Sequence, residues 1–164
     1  MDHEIRRIAH LVFEADYDVE ILKAYKTADL SRDTTTTPST DNHLTTTLAA
    51  STNYQFRFVL FTNNVAGVEG IQFQFDGTAG VTSMKAQITI YDDTTNAIAA
   101  FARVTAFNSA VGVVLSSGVN HSLIEGSIET STAGTFFLEW AQQVSGANAT
   151  TLQRGSSLVL TRLS

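Results

Sequence analysis

Residues 54–60 have the sequence YQFRFVL, and residues 71–76 have the sequence IQFQFD. In both segments apolar side chains alternate with polar ones, so the aromatic rings fall on one face and the polar groups on the other. A strict period of two is typical of a half-buried strand in an antiparallel sheet. The two segments therefore predict sheets whose inner faces are lined with aromatic rings.

The same pattern continues along the chain between short polar turns. Residues 84–90 alternate in this way, and the polar residues 92–96 predict a turn after them. Further strands are predicted over residues 43–48, 98–107, 111–115, 122–129, 135–144 and 157–163. We predict an all-β fold, an antiparallel β-sandwich of the jelly-roll type with about eight to nine strands.

Two sheets packed face to face bury the aromatic side chains that alternate along the strands. Each Å² of apolar surface removed from water contributes about 25 cal/mol, so the large rings are expected inside. The predicted core is formed by Phe56, Phe58, Phe73, Phe75, Phe136 and Trp140.

The charge density changes near Lys26, because residues 1–26 hold ten of the 26 charged residues. We divide the chain into an N-terminal arm, residues 1–26, and a jelly-roll domain, residues 27–164. Near the start of the domain, residues 31–42 are rich in threonine and hold the only proline, which predicts a loop.

Within the arm, residues 11–22 alternate between apolar and mostly acidic side chains, which predicts an extended strand. Residues 3–9 are predicted to form a short helical turn at most. A strand of this kind needs a sheet edge to join, and a neighbouring subunit can supply one. The candidate assembly residues of the arm are Leu11, Phe13, Tyr17, Val19 and Ile21.

Composition argues against several classes of function. The net charge of −6 and the pI of about 5.0 leave no basic footprint for nucleic acid. No apolar run reaches the length of about 18 residues that a membrane span requires. The absence of cysteine removes disulfides, thiolate catalysis and cysteine metal sites.

No sequence motif identifies a catalytic or metal site. Asp92 and Asp93 favour a turn over a calcium site, because the surrounding residues lack the alternating acids of a calcium-binding loop. Three acids in predicted strands are read as solvated strand faces and not as a glycosidase pair: Glu125, Glu129 and Glu139. We expect no catalytic residue, no metal and no cofactor, and the protein is not expected to be an enzyme.

The four histidines are dispersed along the sequence, and ordinary polar roles are favoured over a metal site on a symmetry axis. His43 is predicted to lie just before a strand and His121 in a turn, while His3 and His10 belong to the arm.

The end of the chain resembles a family of small structural proteins encoded by tailed phages. The matching segments are AGTFFLEWAQQ at residues 133–143, TTL at 150–152, GSSL at 155–158 and TRL at 161–163. Residues 26–29, 44–50 and 54–58 are similar to the opening of that family, so the resemblance covers about residues 26–163. It implies a trimeric jelly-roll virion protein, similar in shape to tumour-necrosis-factor-like trimers, from a capsid decoration, a head fibre or a tail-fibre tip.

The sequence and this resemblance favour a capsid decoration or cement protein. We expect a homotrimer on the capsid surface that contacts the major capsid protein or other virion subunits and is made in the host cytoplasm. The alternative is a head-fibre or tail-fibre module that binds host surface carbohydrate. Its candidate ligand residues are Tyr91, Asp92, Asp93, Asn108 and Asn120.

Overall fold

The computed structural model describes residues 19–65, 68–114 and 117–163 of the 164-residue chain. Within these ranges the regular structure consists of β-strands alone. They are β1 (Ile21–Tyr25), β2 (Leu30–Arg32), β3 (Ser39–Leu48), β4 (Thr52–Asn64), β5 (Ile71–Asp76), β6 (Gly80–Asp92), β7 (Ala97–Val104), β8 (Val111–Val113), β9 (Gly118–Thr132), β10 (Gly134–Ala141), β11 (Thr150–Leu152) and β12 (Ser157–Arg162).

The strands form two antiparallel sheets that pack into a sandwich. The larger sheet has the order β1-β12-β4-β9-β6-β7, with β11 paired to one end of β4 and β2 paired to β11. The smaller sheet has the order β3-β10-β5-β8. The predicted all-β antiparallel sandwich is confirmed, and the described ranges contain no helix that is long and apolar enough to cross a membrane.

Aromatic rings from both sheets meet in the centre of the sandwich. Phe56 and Phe58 of β4 contact Phe75 of β5 and Phe136 of β10, with ring centroids 5.3–6.0 Å apart. All six aromatic residues assigned to the core are buried: Phe56 is 3% exposed, and Phe58, Phe73, Phe75, Phe136 and Trp140 are 0% exposed.

Gly126 of β9 makes room for this packing. It pairs with Phe56 on one side and Ala86 on the other, so it occupies an inward-facing position. A Cβ atom at residue 126 would lie 2.6 Å from Phe56 Cζ and 2.4 Å from the Lys85 carbonyl oxygen. Only glycine fits here without displacing the ring or the neighbouring strand.

The structure corrects the predicted loop over residues 31–42 and the strand count. β2 and β11 have three residues each, which is too short to show a period, and they pair with each other. β3 begins at Ser39, because its threonine-rich sequence suits a strand although few of its residues are apolar. Consequently His43 lies inside β3, and His121 lies inside β9 and not in a turn.

The last residues assigned to the arm belong to the sandwich. β1 pairs along its whole length with β12, from Ile21 with Thr161 to Tyr25 with Ser157. Lys26 follows β1 and is buried. Residues 1–18, including Leu11, Phe13 and Tyr17, lie outside the described residues, and the arm remains a prediction there.

Candidate assembly surface

The outer face of the larger sheet carries two neighbouring cross-strand rows, which we call the apolar band. Strand pairing places the first row on six successive strands: Tyr25, Ser157, Val59, Leu123, Thr89 and Phe101. The second row is Phe61, His121, Tyr91 and Ile98. Apart from His121, the band has no group that is charged near neutral pH.

Several large apolar side chains of the band are exposed. Tyr25 and Ile98 are each 60% exposed, Phe101 is 55% exposed and Phe61 is 37% exposed. Contiguous exposed apolar surface of this kind marks interaction sites on soluble proteins. The band is therefore a candidate contact surface.

A charged row runs beside the apolar band on the same face. Its members in strand order are Lys23, Val159, Arg57, Glu125, Gln87 and Arg103. Arg57 Nε lies 3.5 Å from Glu125 Oε1, and both side chains are more than half exposed. Lys85 lies beside this row. Four cations and one carboxylate therefore lie in or beside the row, although the chain as a whole has a net charge of −6.

The outer face of the smaller sheet is mostly polar, although the half-buried Phe137 of β10 lies on it between Thr45 and Asp76. Thr45 and Thr47 of β3 are exposed there, and Gln74 Nε2 of β5 donates to Glu139 Oε2 of β10 at 2.5 Å. Glu139 Oε1 also accepts a hydrogen bond from the Thr40 hydroxyl at 3.2 Å. The strands of the smaller sheet therefore present no large apolar side chain as exposed as those of the apolar band.

In the second row of the apolar band, Tyr91 and His121 stack with ring centroids 4.5 Å apart and an angle of 12° between their planes. His121 Nδ1 lies 2.6 Å from Asp93 Oδ1, and each of the two side chains is about 40% exposed, at 40% and 38%. Tyr91 and Asp93, two of the predicted carbohydrate-binding residues, are thus neighbours at the surface.

The structure does not bring the other three predicted ligand residues to this surface. Asp92 is 8% exposed, and its Oδ1 accepts the backbone N–H groups of the turn that follows. Asn120 is 0% exposed inside β9. Asn108 lies after β7 and its side-chain amide donates to Asp76 Oδ1 of the smaller sheet at 3.4 Å. The structure therefore does not place the five predicted ligand residues together on one surface.

The burial of Asp92 and Asn120 belongs to a polar end of the core that the sequence reading missed. The inward-facing positions of β4 change from Leu60 to Thr62 and Asn64, and all three are 0% exposed. The Thr62 hydroxyl donates to the Asn120 carbonyl at 3.3 Å. The sequence signal was present, because the period of two continues there with polar residues in the inward positions.

A buried ion pair, also missed, joins β1 to the smaller sheet. Lys26 Nζ lies 2.6 Å from Asp41 Oδ2, and both side chains are 0% exposed. Asp41 Oδ1 also accepts the backbone N–H of His43 at 3.0 Å. The pair fixes the end of β1 against β3.

Arg32 is held close to this ion pair by the backbone of two strands. Its guanidinium donates to the carbonyls of Ser39, at 2.8 Å, and Thr40, at 3.1 Å, and also to that of Trp140. It lies 4.3 Å above the Trp140 ring. Burial lowers the pKa of Arg32, and the nearby carboxylates of Asp41 and Glu139 act in the opposite direction.

The described part of the chain holds no cluster of three or more histidine or acidic side chains able to bind a metal. Glu125 is an exposed partner of Arg57, and Glu139 bonds to Gln74 and Thr40. The absence of enzymatic activity remains a prediction.

No protein-family model matches this sequence, and no curated protein matches it. Among solved structures, Eiger TNF from S. frugiperda is similar with a TM-score of 0.43 and 6% identity, over 89% of this chain and 93% of that chain. The C-terminal domain of EclA, a sugar-binding protein, gives a TM-score of 0.30 and 13% identity, over 90% of this chain and 86% of that chain.

The VP2 subviral particle of infectious bursal disease virus gives a TM-score of 0.24 and 11% identity, and this chain spans 41% of the VP2 chain. The similar structures thus include a viral particle protein and a TNF-like protein. Each of the three TM-scores is below 0.5, so these likenesses carry no argument about function. The fold rests on the strand pairing and core packing described above.

Proposed function

We propose that this chain is a tailed-phage virion protein, a capsid decoration or cement protein that assembles as a homotrimer and stabilises the shell. The observation that carries the proposal is the apolar band on the outer face of the larger sheet. The resemblance of residues 26–163 to small tailed-phage structural proteins supports the choice of particle and of trimer.

The contrast between the two outer faces supports self-assembly with one defined orientation. Each Å² of apolar surface in the band that a neighbouring copy covers lowers the free energy of association by about 25 cal/mol. The threonine and glutamine side chains of the smaller sheet gain nothing comparable. Packing the larger sheets of three copies around one axis buries the bands and leaves the smaller sheets in solvent.

The solution mass tests this assembly. We expect light scattering to give about three times 17.7 kDa for the full chain. The double variant Tyr25→Glu/Phe61→Glu places two charges in the band and should shift the mass to that of a monomer. The matched control Thr45→Glu/Thr47→Glu adds the same charges to the outer face of the smaller sheet and should leave the trimer intact. A monomeric wild-type chain would refute the trimer, and a control as disruptive as the band variant would refute the band as its interface.

The shell is the proposed partner of the trimer, through the major capsid protein or another virion subunit. Shells of the parent phage that lack this protein should bind it on cosedimentation and disassemble at a higher temperature afterwards. Labelling confined to the tail, with no binding to shells, would overturn the decoration role.

The second candidate function is receptor binding by a head fibre or tail-fibre tip. The half-buried Tyr91 ring near the Asp93 carboxylate is the observation that favours it, since sugars pack on aromatic rings and donate hydroxyls to carboxylates. Saturable binding to host cells that is lost in Tyr91→Ala and Asp93→Asn would support this candidate over decoration.

A further inference from the structure

The two sides of the sandwich are closed to different degrees. On one side, β1 of the larger sheet packs against β3 of the smaller sheet, and the Lys26–Asp41 ion pair is fully buried between them. On the other side, the edge strands are β7 and β8. The apolar residues that point into the sandwich there are only partly buried: Ala100, Phe107, Val111 and Val113.

β7 is an edge strand with one free side. Among the described residues it pairs only with β6, so its second row of backbone hydrogen-bonding groups faces outwards. Residues 97–102 read AIAAFA without a charge, a proline or a glycine, and Arg103 is the one charged residue of the strand. The register with β6 shifts between Ile90 and Tyr91, which leaves Ala99 as an extra residue at a bulge. Charges and bulges discourage pairing at an edge, but the uncharged stretch beyond this bulge is suited to pairing with another strand.

We infer that residues 11–18 of a neighbouring copy add to the free edge of β7 as the next strand of the larger sheet. The inference rests on the self-assembly proposed above and names the contact that the arm makes. Leu11, Phe13 and Tyr17 would cover the opening between β7 and β8. Glu14, Asp16 and Asp18 would then fall on the outer face.

Charge complementarity favours this orientation of the arm. Residues 11–18 contain three acids and no base. On the outer face beside this edge lie Arg103 of β7 and, on the next strand, Lys85 of β6, which line the same shallow depression as Glu125, the partner of Arg57. Opposite charges on neighbouring strands stabilise a sheet, whereas the reverse orientation would place the acids against Phe107 and Val113.

Chain length favours a neighbouring copy over the arm of the same chain. The described chain starts at Val19, at the β1 edge, and β7 lies five strand spacings away across the larger sheet. A strand added to the free edge of β7 lies one spacing further, and six spacings of about 4.8 Å amount to about 29 Å. Eight extended residues reach at most about 28 Å, so a chain crossing its own sheet would use up residues 11–18 before arriving.

Cysteine cross-linking in the full-length protein tests this contact, because the chain has no native cysteine. Arg103→Cys is combined by subunit mixing with single cysteines at positions 13–18 of a second chain. Side chains alternate along a strand, so we expect disulfide-linked dimers from positions 14, 16 and 18 at several times the yield from 13, 15 and 17. With Ala102→Cys, which faces the interior, the dependence on position should invert. Lys23→Cys on β1, exposed on the same outer face, is the matched control and should give little product.

Equal yields at odd and even positions, or equal yields with Lys23→Cys, would refute the strand addition. If the wild-type chain is a trimer by light scattering and no alternation is found, the arm inference is wrong and the proposed trimer stands. If the wild-type chain is a monomer, the trimer and the arm contact both fail.

Discussion

Replacing Lys26 by methionine tests how much the buried ion pair contributes to stability. Methionine keeps most of the length of the side chain but leaves the Asp41 carboxylate, which is 0% exposed, without its 2.6 Å partner. Removing one member of a buried pair typically costs about 3–5 kcal/mol, since the other charge stays buried. Asp41 keeps the backbone N–H of His43 at 3.0 Å, so we expect the lower end, about 3 kcal/mol.

Urea unfolding followed by Trp140 fluorescence measures this loss. Trp140 is the single tryptophan and is 0% exposed, so its emission reports on the core. If the free energy of unfolding falls by about 2 kcal/mol per M urea, a loss of about 3 kcal/mol in stability lowers the midpoint of unfolding by about 1.5 M urea. All variants are compared at one protomer concentration, because association contributes to apparent stability.

Two further variants make the result interpretable. Lys26→Met/Asp41→Asn removes both charges and keeps an acceptor for the His43 N–H, so it should recover most of the loss. Glu125→Gln breaks the exposed pair with Arg57 and should cost less than about 1 kcal/mol. The reasoning is refuted if Lys26→Met costs no more than Glu125→Gln, or if the double variant is no more stable than the single one.

Two other substitutions probe the packing. Gly126→Ala should lower the free energy of unfolding by about 1–3 kcal/mol, because the alanine Cβ would lie 2.6 Å from Phe56 Cζ. Ser127→Ala on the outer face should leave that free energy nearly unchanged in the same urea titration. Arg32→Lys should lower the thermal midpoint because an ammonium cannot reach three carbonyls while stacking on Trp140, and unchanged melting would show that charge alone suffices there.

The strands that carry the core could be predicted because their alternation is long and strict. Residues 54–60 and 71–76 place a large apolar side chain on every inward position, so both the strands and the core follow from the sequence. β2 and β11 could not be found in this way, because three residues show no period and their pairing joins positions 30–32 with 150–152.

The candidate surface required knowledge of the strand order. Phe61 and His121 are 60 residues apart in sequence and become neighbours only through the pairing of β4 with β9. Lys26 and Asp41 carry no pattern that marks them for burial, and Asp92 and Asn120 resemble ordinary turn residues until the inward positions are known. Local sequence patterns specify strands and faces, whereas these sites depend on contacts between distant segments.

The pairing of β1 with β12 determines how the sandwich carries a mechanical load. The arm continues from the Ile21 end of β1, and β1 lies antiparallel along β12 over five residues. A pull on the arm along the strand axis loads all the hydrogen bonds of this pair in shear at once and does not peel them apart one by one. The buried Lys26–Asp41 pair holds the far end of β1 against the smaller sheet. The hydrogen bonds between β1 and β12 thus pass tension from the arm to β12, and the pairing of β12 with β4 passes it on to the centre of the larger sheet.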